Sequence, residues 1–189
     1  ALVRKKYKAG SGVPALIAVH QDFTKDSLEL AKSYSKAIGS TRVCSFLSTF
    51  KEETETDLFG EQVLLTGGIP YIIDKSLKVL IESGYSPVVA WFVCYYEIKT
   101  IIDLFHDKGL EYLYDAISDT AKYGGIKTGK YLIDDNMEDK IKSVLKKIQS
   151  GEFAEELQKA DMSSINYKSE INSEDKEQIN KIFKSIFKK

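Results

Sequence analysis

Five carboxylates fall within ten residues between Glu52 and Glu61, the densest acidic stretch of the chain. On a helix starting near Thr54 to Thr56, Asp57 and Glu61 stand at i and i+4 and share a face. Like charges at that spacing cost an isolated helix ~0.2–0.5 kcal/mol, and more once desolvated. The flanking Leu58, Phe59, Val63, Leu64 and Leu65 are apolar, so partial burial is expected. A divalent cation would relieve the repulsion, and all-oxygen ligands suit Mg²⁺ better than zinc. A solvated acidic helix start, favoured by the helix dipole, accounts for the same residues without any ligand.

Other chemistry-bearing residues are sparser. Glu97 is the sole acid in the apolar run from Val88 to Ile98. A carboxylate there is costly unless it is paired, hydrogen-bonded or on a metal, and a salt bridge to Lys99 or a more distant lysine is the simplest partner. Ser118-Asp119-Thr120 reads by itself as a helix cap. His20 and His106 have no Cys or His at ligand spacing, and neither lies in a motif that activates a nucleophile. Gly10-Ser11-Gly12-Val13-Pro14-Ala15 fits G-x-G-x-x-A on paper. That fingerprint must follow a strand and open a helix, whereas here a basic segment precedes and a strand follows. The glycines read as a turn before a strand.

The elements that must hold these residues follow from periodicity. Val13–Val19 reads as one short buried strand and Val43–Leu47 as a second strand, with an amphipathic helix over Asp26–Ile38 between them. Helices are expected over Thr56–Leu65, closed by Gly67-Gly68, and over Tyr71–Ser83, closed by Gly84 and Pro87. Val88–Phe105 is apolar on most faces, which predicts a helix buried on several sides. Short helical pieces run from Gly109 to Tyr123 and end at a Gly124-Gly125 break. An amphipathic helix of about four turns covers Asp134–Gln149, a further turn or two follows over Gly151–Ala160, and Asp161–Asn172 is a polar loop. Ser173–Lys189 opens on acids, ends in lysines and carries Ile179, Ile182, Phe183, Ile186 and Phe187 as one stripe.

Composition sets the outer limits. A chain of 189 residues with 43% hydrophobic positions suits one folded domain and excludes low-complexity disorder. Its 27 basic and 28 acidic residues give a net charge of −1, which removes the electrostatic case for nucleic acid. The apolar run Val88–Tyr96 is far short of the ~20 residues that span a membrane. Cys44 and Cys94 each lie in an apolar stretch, and two buried free thiols fit a reducing, cytoplasmic setting. The first residue is Ala1, which suits a processed or truncated piece of a longer protein.

Three blocks together resemble the ketol-acid reductoisomerases. They are Val13–Asp22 (VPALIAVHQD), Phe50–Gln62 (FKEETETDLFGEQ) and Ala116–Gly124 (AISDTAKYG), with Ser150–Ala154 (SGEFA) as a further match. The similarity runs from about Leu2 to Ala160. It implies residues 1–22 as the end of a nucleotide-binding domain, 23–160 as a mainly α, knotted C-terminal domain, and 161–189 as a divergent loop and helix. The family isomerises 2-acetolactate-type 2-hydroxy-keto acids on two Mg²⁺ and reduces the product with NADPH, in branched-chain amino-acid synthesis.

Position by position, the resemblance implies that Asp57 bridges the two Mg²⁺ and that Glu61 completes one of them. Glu97 then approaches the second metal, and Ser118 holds the substrate carboxylate. Glu97 and Ser118 would come from the partner of an interwoven homodimer. Two departures stand out. The family's Phe-Glu-Cys-x-His-Glu pattern is here Phe92-Val93-Cys94-Tyr95-Tyr96-Glu97, so the second metal lacks one carboxylate and a histidine is lost. The glycine loop and the active-site lysine of the nucleotide-binding domain have no counterpart in residues 1–189. The expectation is weak Mg²⁺ binding and no NADPH-dependent turnover by this chain alone, with the nucleotide domain supplied by the rest of the protein or by a separate chain. The other reading is a non-catalytic paralogue that keeps the helical core as a dimerising, binding module.

Overall fold

A computed structural model describes residues 1–187. Lys188 and Lys189, the lysines expected to close the last helix, lie outside the described residues. The chain divides into two compact units, the first Ala1–Gly60 and the second beginning at Glu61.

The first unit opens with helix α1 (Leu2–Lys8), a basic segment too short to show apolar periodicity, and none of its residues is buried. The glycine turn follows. A Cβ on Gly12 would lie 2.0 Å from the Gly39 carbonyl oxygen, so glycine is required there for two backbones to approach. The next element is strand β1 (Ala15–Ile17), so these glycines open a strand and not a helix, as the flanking residues indicated. Helix α2 (Ser27–Ala37) carries the chain over to β2 (Ser45–Leu47), which pairs parallel to β1 with Ala15 opposite Ser45. This is one β-α-β unit. Ser35 Oγ and Ser45 Oγ lie 2.8 Å apart and tie α2 to β2. The Arg42 guanidinium sits 4.1 Å from the Tyr7 ring centroid and donates to the Tyr7 and Ser11 carbonyls, which pins α1.

Helix α3 (Phe50–Gly60) closes this unit. It starts well before the expected Thr54–Thr56. The Glu52 N–H donates to Thr49 Oγ1 (3.0 Å) and the Ser48 hydroxyl donates to the Glu52 carboxylate (2.8 Å), a cap built from Thr49 and Glu52 at capping-box spacing. Thr56 is therefore interior to the helix, its hydroxyl donating to the Glu52 carbonyl.

The second unit begins with a π-helical turn, Glu61–Leu65. Its wide ring brings a carbonyl five residues back against the following glycines. A Cβ on Gly67 would lie 1.8 Å from the Gln62 oxygen. Gly67-Gly68 thus accommodates the π turn and starts α4 (Gly68–Glu82), instead of stopping an ordinary helix. The apolar run beyond breaks into α5 (Pro87–Trp91), a second π-helical turn (Phe92–Tyr96) and α6 (Ile98–Lys108). Only Ala90 and Trp91 of these turns are buried, while Phe92, Val93, Tyr95 and Tyr96 are exposed, so the expected burial on several sides is not met within one chain.

Helices α7 (Leu110–Ala116) and α8 (Asp119–Leu132) bury none of their residues, and α8 runs through Gly124-Gly125 in ordinary helical backbone, where a break was expected. Amphipathic α9 (Asp135–Ser150) is capped by Asp134, whose carboxylate accepts from the Met137 N–H, and Gly151 at φ 84° turns the chain into α10 (Glu152–Lys159). After the loop comes α11 (Ser173–Phe187), capped by Asn172, which accepts from the Asp175 N–H at 2.9 Å. The core of the unit joins Leu77 of α4, Ala90 and Trp91 of α5, Ile171 of the loop and Ile179 of α11. Segment 161–187 is thus structural to this unit. Among the described residues helix dominates and strand is confined to β1 and β2, the mainly α architecture that was expected. No helix among them is long and apolar enough to cross a membrane. Cys44 and Cys94 are free and half-buried, and burial pushes the Cys94 thiol up.

Candidate active site

Asp57 lies in the last turn of α3 and is exposed. Glu61 is the first residue of the first π-helical turn, also exposed; its carbonyl accepts from the N–H and the hydroxyl of Thr66, both at 2.9 Å. The turn therefore spends this backbone carbonyl on holding itself and leaves the carboxylate to solvent. The expected partial burial of the acidic face is not found. Within the block Lys51 pairs with Glu55 at 3.9 Å, and among the described residues Asp57 and Glu61 have no such partner. Next to Glu61, the Gln62 side-chain nitrogen is buried without a hydrogen-bond partner among the described residues.

Glu97 follows the second π-helical turn directly. Its N–H donates to the Phe92 carbonyl at 3.1 Å, the five-residue bond of that turn, and its own carbonyl accepts from Thr100 at the start of α6. The side chain is exposed, so no desolvation cost demands a partner. The expected pairing with Lys99 does not form, because Lys99 pairs with Asp103 one turn on in α6. Val93, where the family pattern has Glu, is 46% exposed, so a longer acidic side chain would fit there without displacing core.

Ser118 caps α8. Its Oγ accepts from the Ala121 N–H at 3.3 Å, which leaves its own O–H proton to donate elsewhere. The position is exposed at the N-terminus of a helix of 14 residues, where the dipole favours an anion. His20 meets the edge of the Phe50 ring at 6.1 Å between centroids, and His106 lies exposed in the last turn of α6.

Among the described residues no three His, Cys, Asp or Glu side chains converge on one point. The donor set is nonetheless right for Mg²⁺: hard carboxylate oxygens, solvent-facing, with no lysine among the described residues engaging them. Two features escaped sequence reasoning. The π-helical turns abut Glu61 and Glu97, and such turns are frequent at functional sites. Periodicity over a short apolar run cannot register one inserted residue; the Gly67-Gly68 pair after Glu61 is the signal that was available.

The family model "Ketol-acid reductoisomerase, C-terminal domain" matches residues 50–188, and "Acetohydroxy acid isomeroreductase, NADPH-binding domain" matches residues 1–44. The match continues to residue 188, beyond the Ala160 limit drawn from the motifs. The "Ketol-acid reductoisomerase (NADP(+))" of Saccharolobus solfataricus is 51% identical over 154 residues, covering 82% of this chain and 46% of its own length. That of Saccharolobus islandicus is 49% identical over the same span. A solved structure, an NADH-preferring ketol-acid reductoisomerase from an uncultured archean, superposes with a TM-score of 0.77 at 39% identity, over 82% of this chain and 47% of that one. The chain thus spans about half the length of the relatives it matches. With the C-terminal model covering most of its residues and the acidic block inside that match, the chain belongs to the ketol-acid reductoisomerase family.

Proposed function

We propose that this chain is the metal- and substrate-holding part of a ketol-acid reductoisomerase acting on 2-acetolactate-type acids in branched-chain amino-acid synthesis. The observation that supports it best is the solvent-facing state of Asp57 and Glu61 within the matched domain, with no ion-pair partner among the described residues. Asp57 and Glu61, four residues apart in the chain, supply carboxylates to Mg²⁺, and Glu97 approaches a second ion. When bound there, Mg²⁺ supplies Lewis-acid polarisation of a substrate carbonyl. Ser118 donates its free O–H to the substrate carboxylate, and the dipole of α8 favours that anion. NADPH would be held by the nucleotide-binding domain, whose family model matches residues 1–44.

A homodimer would complete the site, with Glu97 and Ser118 given across the interface. The helix carrying Ser118 buries nothing within its own chain, and Phe92, Val93 and Tyr96 before Glu97 present apolar surface. A stable second copy is the partner such exposed apolar surface calls for.

Magnesium titration by calorimetry on the wild type and Asp57→Ala tests the metal reading. A saturable heat lost in the variant supports it, and identical flat traces sink it. Residues 1–189 alone are expected to show no oxidation of NADPH with 2-acetolactate, and measurable turnover would overturn that. The second reading, a non-catalytic dimerising module, draws on Val93 and Tyr96, which replace a carboxylate and an imidazole of the family pattern. A dimer that binds no Mg²⁺ would favour it.

A further inference from the structure

The C-terminal segment and the α4–α5 face enclose a cavity of ≈ 670 Å³ in the second unit, a size suited to a small organic ligand. Its floor is apolar, formed by Leu77, Trp91, Ile171 and Ile179. Tyr71 and Tyr167 stand edge-to-face on one wall, 5.7 Å between centroids. Two opposite charges, Asp74 and Lys176, also line it, whereas Glu61, Glu97 and Ser118 do not.

The charges are what set the ligand. Asp74 is only 8% exposed, and its oxygens accept from the Ser169 hydroxyl and from the Glu170 N–H at 3.0 Å. No cation pairs with it among the described residues, because the nearby Lys75 and Lys78 both engage Glu170. The Tyr167 hydroxyl also hydrogen-bonds to the Asp74 carboxylate. A buried carboxylate without a cation is costly, and its one remaining acceptor site is open to an ammonium group. Lys176 Nζ donates to the Ser169 carbonyl at 3.0 Å and has two N–H bonds left. Ser169 therefore stands between the two charges, touching one with its hydroxyl and the other with its carbonyl. A ligand complementary to this wall carries a cation and an anion a few ångströms apart, with an apolar group to lie on Trp91.

We propose that this cavity binds a free α-amino acid with a bulky apolar side chain, its ammonium on Asp74 and its carboxylate on Lys176. Trp91 is the single tryptophan of the chain, so its emission reports occupancy directly. The test titrates the full chain with L-leucine, 3-methylbutylamine (which lacks the carboxylate) and 4-methylpentanoate (which lacks the ammonium), by Trp91 fluorescence and ligand-observed NMR. Leucine should bind saturably, and each single-charge analogue at least about tenfold more weakly. Lys176→Met, with folding checked by circular dichroism, should weaken leucine by about tenfold and leave the amine unchanged. Asp74→Asn should do the converse. No saturable signal with leucine, equal binding of all three probes, or an unaltered leucine affinity in Lys176→Met would each overturn the assignment.

Discussion

The C-terminal segment is held on α4 by two kinds of contact, and their magnitudes predict which one matters. Asp74 is buried and holds Ser169 and Glu170 through hydrogen bonds to a charged acceptor. Each such bond is worth ~1.5–3 kcal/mol, and a donor left orphaned in a buried place costs ~1–3 kcal/mol. Asp74→Ala frees a hydroxyl that can turn towards water and a backbone N–H that cannot, so a loss of about 2–5 kcal/mol is expected. The outer contact is the clamp of Lys75 and Lys78 on Glu170, the second at 2.7 Å, with side chains 33–59% exposed. Solvent screens such exposed pairs, so the double change Lys75→Met/Lys78→Met should cost clearly less than Asp74→Ala. Urea unfolding followed by Trp91 emission reads this region, since Trp91 packs with Ile171 and Ile179. At an m-value of ~2 kcal/mol/M, Asp74→Ala should lower the midpoint by about 1–2.5 M. Hydrogen exchange over 165–187 should accelerate in parallel. A midpoint unchanged within error, or a double lysine variant less stable than Asp74→Ala, would refute the ranking.

The clamp has its own pH signature. Hydrogen bonds from Lys75 and Lys78 hold the Glu170 carboxyl down at about 2, below its ordinary 4.5. A lowered folded-state value means the contribution is complete above pH ~4.5 and is lost as pH falls towards 2, so exchange in the C-terminal segment should rise in that window for wild type and not for Glu170→Gln. Gly67→Ala should destabilise the second unit by ~1–3 kcal/mol, because the new Cβ would meet the Gln62 carbonyl at 1.8 Å. The gain of up to ~1 kcal/mol that Ala brings to an unstrained helix is the opposite sign, and a raised urea midpoint would refute the π-turn argument. Val93→Glu should raise Mg²⁺ affinity in calorimetry, and an unchanged affinity would mean that the second site has diverged beyond one ligand.

What the sequence made legible was local. The β-α-β start, the glycine turn, α9 with its Gly151 stop and the polar loop after Ala160 follow from patterns within a few residues, and the structure has them. The start of α3 is equally local but lies earlier than expected: Thr49 and Glu52 carry the cap, and Thr54 and Thr56 are interior to the helix. The π-helical turns escaped because an inserted residue shifts a helical stripe by less than a short run can reveal. The burial expected around Asp57 and over Val88–Phe105 came from apolar neighbours, yet exposure depends on what packs opposite, which spacing does not encode. For the same reason Asp74, buried and central, gave no sign of itself among the charged residues of an amphipathic helix.

The bond from Glu170 to Asp74 joins residues 96 positions apart. During synthesis at ~5–20 residues per second, α4 and Trp91 therefore wait roughly 5–20 s for the strip of chain that covers them. Through that interval Leu77, Trp91 and the apolar face around them are open to solvent and to any chaperone near the ribosome exit. The nascent helical unit thus lacks part of its core until α11 emerges, and a premature stop between Ala160 and Ile171 would release it with that face uncovered.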